Sequence, residues 1–107
     1  MGVQVLAVYR PKHGKQAELE AEMVEHVPTL RRLGLATDAP ARALRAPDGT
    51  IVESFEWVDQ AAIDAAHEHP VVLEMWGRYA EVCDYGTLAD LPNAGDLFAA
   101  FELLGTY

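Results

Sequence analysis

The chain has 107 residues, half of them hydrophobic, and carries 8 Lys and Arg against 17 Asp and Glu for a formal net charge of -9. That length accommodates one hydrophobic core and leaves no material for a second. Its acidic balance repels phosphate backbones and anionic lipid headgroups, and Arg31-Arg32 is the only adjacent cationic pair, so nucleic acid and a polybasic membrane contact are excluded as partners.

Cys83 is the sole cysteine, which rules out an intrachain disulfide and predicts a reducing, cytoplasmic setting. Met1-Gly2 runs straight into an alternating pattern, without the basic segment and apolar core of an export signal. No apolar run approaches the roughly 20 residues that a membrane-spanning helix needs.

Val3 to Arg10 predicts the first strand, with Val3, Val5, Ala7 and Tyr9 on one face and Gln4, Leu6, Val8 and Arg10 on the other. Both faces are partly apolar, so each is expected to meet something: helices on one side, another sheet or a ligand on the other. Pro11 and Gly14 end the strand, and Lys15 to Leu33 predicts the longest helix. At 100° per residue, Leu19, Met23, His26, Leu30 and Leu33 fall in one arc with Val27 at its edge. Pro28 inside this run predicts a kink near Val27 or a break, and Gly34 closes the helix.

Ala41 to Ala46 and Thr50 to Val58 read as two strands of a hairpin turning at Pro47-Asp48-Gly49. On the second strand Ile51, Glu53, Phe55 and Trp57 share one face, and Val52, Ser54, Glu56 and Val58 the other. Asp59 caps a short helix from Gln60 to about His67, and Pro70 opens another running to about Cys83, on which Val72, Met75, Trp76, Tyr79, Val82 and Cys83 form an apolar stripe. Asp84 to Leu97 reads as irregular, and Phe98 to Leu104 as a final strand.

This order predicts one α+β domain over residues 1–107, a ferredoxin-like split βαβ arrangement with a four-stranded antiparallel sheet and helices on one face. The uncovered face, rich in Val, Leu, Phe and Ala, has no lid of its own in so short a chain, and a second copy is expected to cover it.

Nearly the whole chain resembles the dimeric α/β barrel superfamily, in particular its small antibiotic biosynthesis monooxygenase-like members. The resemblance is carried by the first strand ending Tyr9-Arg10-Pro11, the Gly14-Lys15 helix start, the Asp48-Gly49 hairpin into Glu53-Ser54-Phe55-Glu56-Trp57, the Ala65-Ala66-His67-Glu68-His69-Pro70 joint, and Trp76. It implies a homodimer whose two sheets face each other as a barrel, with a pocket in each subunit between sheet and helices. Members include cofactor-free oxygenases of polycyclic phenols, haem-degrading enzymes, small-ligand isomerases and proteins of no assigned activity. The haem-degrading members carry a characteristic Asn on the first strand. Here Gln4 is the only amide in that strand and the sole Asn is Asn93 in a late loop, so Trp57, Trp76, His67 and His69 carry what likeness to them there is.

Several residues are candidates for chemistry. His26 sits mid-stripe on the long helix, where an imidazole is either a core group bonded to a carbonyl or water, or the lining of a pocket. His67 follows Ile63 by one helical turn and is expected to point to the core, while His69 precedes Pro70 and caps or turns the chain. Glu53, between Ile51 and Phe55, is either a general acid or base raised by burial or the partner of Arg42 or Arg45 across the hairpin. Phe55, Trp57, Trp76 and Tyr79, with Tyr9, either wall a flat apolar pocket or pack an ordinary core. Cys83 reads as inert filler.

Two histidines with Glu53 or Glu56 have no fixed ligand spacing, so no metal is assigned. There is no glycine-rich phosphate cradle, no dinucleotide fingerprint and no Ser-His-Asp pattern, so no cofactor is assigned either. The expectation is a small-molecule-handling homodimer in which His67 or His26 takes a proton from a phenol-like substrate, with Tyr9, Glu53, Phe55, Trp57, His69, Trp76 and Tyr79 around the ligand. A non-catalytic ligand-binding or structural dimer is the alternative, and a haem-binding or haem-degrading protein a further one.

Overall fold

The computed structural model describes residues 2–107. It contains five strands and three α-helices: β1 (Val3–Pro11), α1 (Gln16–Arg32), β2 (Arg42–Arg45), β3 (Ile51–Trp57), α2 (Gln60–Ala66), α3 (Pro70–Val82), β4 (Cys83–Gly86) and β5 (Glu102–Thr106). The strands form one sheet in the order β4-β1-β3-β2-β5, and every neighbouring pair is antiparallel. The α+β class and the arrangement of the first four strands are compatible with a ferredoxin-like domain.

The expected four-stranded sheet is corrected to five. Cys83 to Gly86, the end of the expected third helix and the start of the expected irregular stretch, is a strand paired with Val8 to Pro11 of β1. The last strand begins later than expected, at Glu102 rather than Phe98, and pairs with the outer edge of β2 across an irregularity at Ala43/Leu44.

Local chemistry accounts for most element ends. Gly34, at φ +75°, follows the C-cap Leu33, and Leu35 N–H returns to the Leu30 carbonyl at 2.9 Å, a left-handed helix stop suited to glycine. Gly49, at φ +94°, turns the β2–β3 hairpin while Asp48 accepts from Thr50 N–H at 3.0 Å. Asp59 accepts from Ala62 N–H at 2.8 Å to start α2, and His69 caps α3 through Val71 N–H, with Pro70 in the first turn.

Of the two outcomes expected at Pro28, the break does not occur, because α1 runs unbroken through it. Val27 and Leu30, on either side of the proline, are both buried, and their packing holds the helix together where one backbone bond is missing.

The main core lies between the sheet and the helices. Leu19, Met23, Val27 and Leu30 of α1 and Val72, Met75 and Tyr79 of α3 close on Tyr9, Ala43, Ile51, Phe55 and Trp57 of the sheet. The opposite sheet face differs from expectation, for part of it is covered by the chain itself. Leu91 and Phe101, from the segment between β4 and β5, pack with Val8, Leu44, Ala46 and Val52 into a smaller second cluster. Leu6 and Leu103 on this face remain 50% and 57% exposed, and between Leu91 and Phe101 in the covering segment Leu97 and Phe98 are 90% and 87% exposed. No helix among the described residues is long and apolar enough to cross a membrane.

Candidate functional site

The period-two alternation of β3 sends Glu53 to the helix side with Ile51 and Phe55, and the stripe of α1 brings His26 down onto it. His26 Nδ1 lies 2.8 Å from Glu53 Oε1, and both side chains are buried. Tyr9, on the same face of neighbouring β1, donates its hydroxyl to the same oxygen at 2.8 Å. Trp76 of α3 donates its indole N–H to His26 Nε2 at 3.1 Å. Three elements and two layers therefore meet on one imidazole.

The bonding fixes the state of His26. An indole N–H only donates, so Nε2 accepts and is unprotonated; the proton sits on Nδ1 and is given to Glu53, which as a carboxylate only accepts. His26 is thus neutral, in one tautomer, between a carboxylate and an indole. Glu53 Oε2 and the Tyr79 hydroxyl are buried without a side-chain or backbone partner. Burial and the Glu53 charge, in that order, hold the Tyr9 phenol well above its usual value, and the same two causes raise Tyr79.

This cluster borders a cavity of about 590 Å³ between β1, β3, α2 and α3. That volume lies within the range of small-molecule sites, about 300–1,000 Å³. Its walls are mostly apolar, from Val5, Ala7, Phe55, Trp57 and Ile63, with Tyr9, His26, His67, Trp76, Tyr79 and Tyr85 as the groups bearing polar atoms. Aromatic rings meet edge-on through it: His26 with Phe55 at 5.4 Å and Tyr79 at 5.1 Å, and His67 with Trp76 at 5.2 Å.

The candidates from the sequence are divided by the structure. Tyr9, His26, Phe55, Trp57, His67, Trp76 and Tyr79 border the one cavity. His67 Nδ1 gives its proton to the Ile63 carbonyl at 2.8 Å, which leaves Nε2 free at an exposed position. Glu53 lies behind the wall and reaches the cavity only through Tyr9 and His26. His69 is away from the cavity as the cap of α3.

The expected Glu53 pairing with Arg42 or Arg45 is corrected, since its hydrogen-bond partners are His26 and Tyr9. Ala43 stands opposite Glu53 in the ladder, Arg42 is on the other face with Ser54, and Arg45 bonds Glu102 at 2.8 Å. Cys83 is buried, its thiol bonded to the Tyr79 carbonyl, and burial with the nearby Asp84 charge pushes its pKa up to about 11, as suits an unreactive filler. Among the described residues no three His, Cys, Asp or Glu side chains gather as a metal site.

Tyr85 was absent from the expected site. It borders the cavity, stacks edge-on with Tyr9 at 5.9 Å and donates to the Trp76 carbonyl at 3.2 Å. Its position follows from β4, and the only local signal for that strand is the Cys83/Tyr85 alternation over four residues.

Comparison with protein-family models, with curated proteins and with solved structures finds no match.

Proposed function

We propose that the chain binds a flat, apolar, aromatic molecule bearing an ionisable hydroxyl in the cavity between sheet and helices, as a homodimer of the antibiotic biosynthesis monooxygenase-like kind. In its catalytic form it is a cofactor-independent monooxygenase. One observation carries the reading: a neutral imidazole, backed by a buried carboxylate, stands at the wall of an apolar cavity of small-molecule size.

The chemistry follows from that arrangement. His26 Nε2 takes the phenolic proton, and Glu53, on Nδ1, stabilises the resulting imidazolium. The phenolate transfers electron density to dioxygen, and one oxygen bonds to a ring carbon. Loss of that carbon's proton and cleavage of the O–O bond release the second oxygen as water, so phenol and dioxygen give quinone and water. The ring supplies all the electrons that dioxygen takes up. Apolar walls that exclude water favour the neutral quinone and protect the anion from reprotonation by solvent.

The dimer is supported by the half-covered sheet face and by the exposed Leu97 and Phe98 of the segment that covers part of it, which a second copy would shield. A non-catalytic ligand-binding dimer is the second reading, and the Trp76 bond to His26 Nε2 favours it, because that bond occupies the lone pair a base needs. No Lys or Arg lines the cavity to meet haem propionates, which supports the aromatic-ligand reading over the haem one.

The test is oxygen uptake and quinone absorbance with a panel of naphthols and dihydroxynaphthalenes under air. The wild type is expected to consume oxygen, and His26→Gln, which keeps a donor for Glu53 but takes no proton, to lose activity at least a hundredfold, in line with general-base contributions of about 10²–10⁴. His67→Ala reports on the other imidazole at the cavity. Turnover unchanged in both variants removes this mechanism.

A further inference from the structure

Trp76 holds the His26 lone pair at the wall of the cavity. Its indole N–H bonds Nε2 at 3.1 Å, and its side chain borders the cavity while remaining partly exposed. The backbone around it is fixed: Trp76 lies inside α3, and its carbonyl takes the Tyr85 hydroxyl. On its other side the indole meets the His67 ring edge-on at 5.2 Å, an exposed neighbour rather than a packed one. The imidazole is held at its other nitrogen as well. Nδ1 is tied to Glu53, whose same oxygen is also bonded by Tyr9, so the direction of the Nε2 lone pair is set by a carboxylate that lies behind the cavity wall.

A ligand that uses this lone pair must therefore take the place of the indole N–H. We propose that Trp76 is a specificity-determining residue that caps His26, and that a ligand carrying its own O–H or N–H donor binds by exchanging with the indole at Nε2. Aromatic molecules lacking a donor occupy the apolar part of the cavity and leave the cap in place. This rests on the aromatic-ligand reading above and adds to it the rule by which ligands are sorted. Exchange of one neutral hydrogen bond for another is nearly even, so the cap lowers affinity for donors by about the value of the bond lost, roughly fivefold. It leaves affinity for non-donors untouched.

The experiment compares 2-naphthol with its methyl ether, 2-methoxynaphthalene, by isothermal titration calorimetry on the wild type and on Trp76→Phe, which keeps an aromatic ring and removes the donor together with part of the ring volume, a volume change that both probes feel alike. The ratio of naphthol to ether affinity is expected to rise about fivefold from wild type to Trp76→Phe. In ¹⁵N–¹H spectra of the wild type, the Trp76 indole signal is expected to move with naphthol and stay with the ether. A merely structural Trp76 would change both probes by the same factor. That result, or a naphthol-to-ether ratio that falls in the variant, overturns the exchange while leaving the ligand cavity standing. Failure of both probes to bind either protein overturns the aromatic-ligand reading and the exchange with it.

Discussion

Tyr9 and Tyr79 offer one substitution made at two places with opposite expected outcomes. Their rings are 5.0 Å apart, and both are buried against Glu53 and His26. The Tyr9 hydroxyl bonds the buried Glu53 oxygen at 2.8 Å, whereas the Tyr79 hydroxyl has no protein partner. A hydrogen bond to a charged group contributes about 1.5–3 kcal/mol, so Tyr9→Phe is expected to destabilise the fold by about 2 kcal/mol. Removing a buried hydroxyl that has no bond to lose relieves a desolvation cost, so Tyr79→Phe is expected to be neutral or to stabilise by up to about 1 kcal/mol. Ring volume is unchanged in both cases, which keeps cavity terms out of the comparison. Urea unfolding at neutral pH measures each difference, with a constant slope as the check that the same surface is exposed. A clear loss of stability in both variants, or a loss above about 1 kcal/mol in Tyr79→Phe, would refute the assignment of Glu53 as the acceptor of the Tyr9 hydroxyl and not of Tyr79.

Two further outcomes follow from the same groups and from the uncovered surface. Because Tyr9 and Tyr79 are raised in the folded state while an unfolded phenol titrates near 10, the unfolded chain binds fewer protons above that pH. Stability is thus expected to be undiminished by these groups below about pH 10 and to fall as pH rises beyond it. Near-ultraviolet phenolate absorbance is expected to show both groups ionising only as the fold is lost, and early, non-cooperative titration of all four tyrosines would contradict this. For the homodimer, sedimentation equilibrium at micromolar concentration is expected to give twice the chain mass, and Leu97→Ser with Phe98→Ser to shift it toward one chain. A monomeric wild type would remove the dimer.

By itself the sequence determined what depends on near neighbours. The stripe Leu19, Met23, His26 and Leu30, the stop at Gly34, the Asp48-Gly49 hairpin, the Asp59 cap and the Pro70 start are all set within a turn or two of chain, where periodicity and φ preferences act directly. His26 and the aromatic residues were legible as candidates for the same reason, since a polar ring in an apolar stripe must find a partner.

Tertiary structure decided which partner. Glu53 is 27 positions from His26 and 44 from Tyr9, and its choice of His26 over an arginine was settled by ladder register, which set Ala43 opposite it and turned Arg42 to the other face. β4 is too short to declare itself and exists through its pairing with β1, which is what brings Tyr85 to the cavity. Likewise Leu91 and Phe101 cover part of the far face because an irregular segment folds back over it, a contact with no local periodicity to announce it. Packing at a distance selected these, because the free energy that fixes them comes from groups that meet only once the layers have closed.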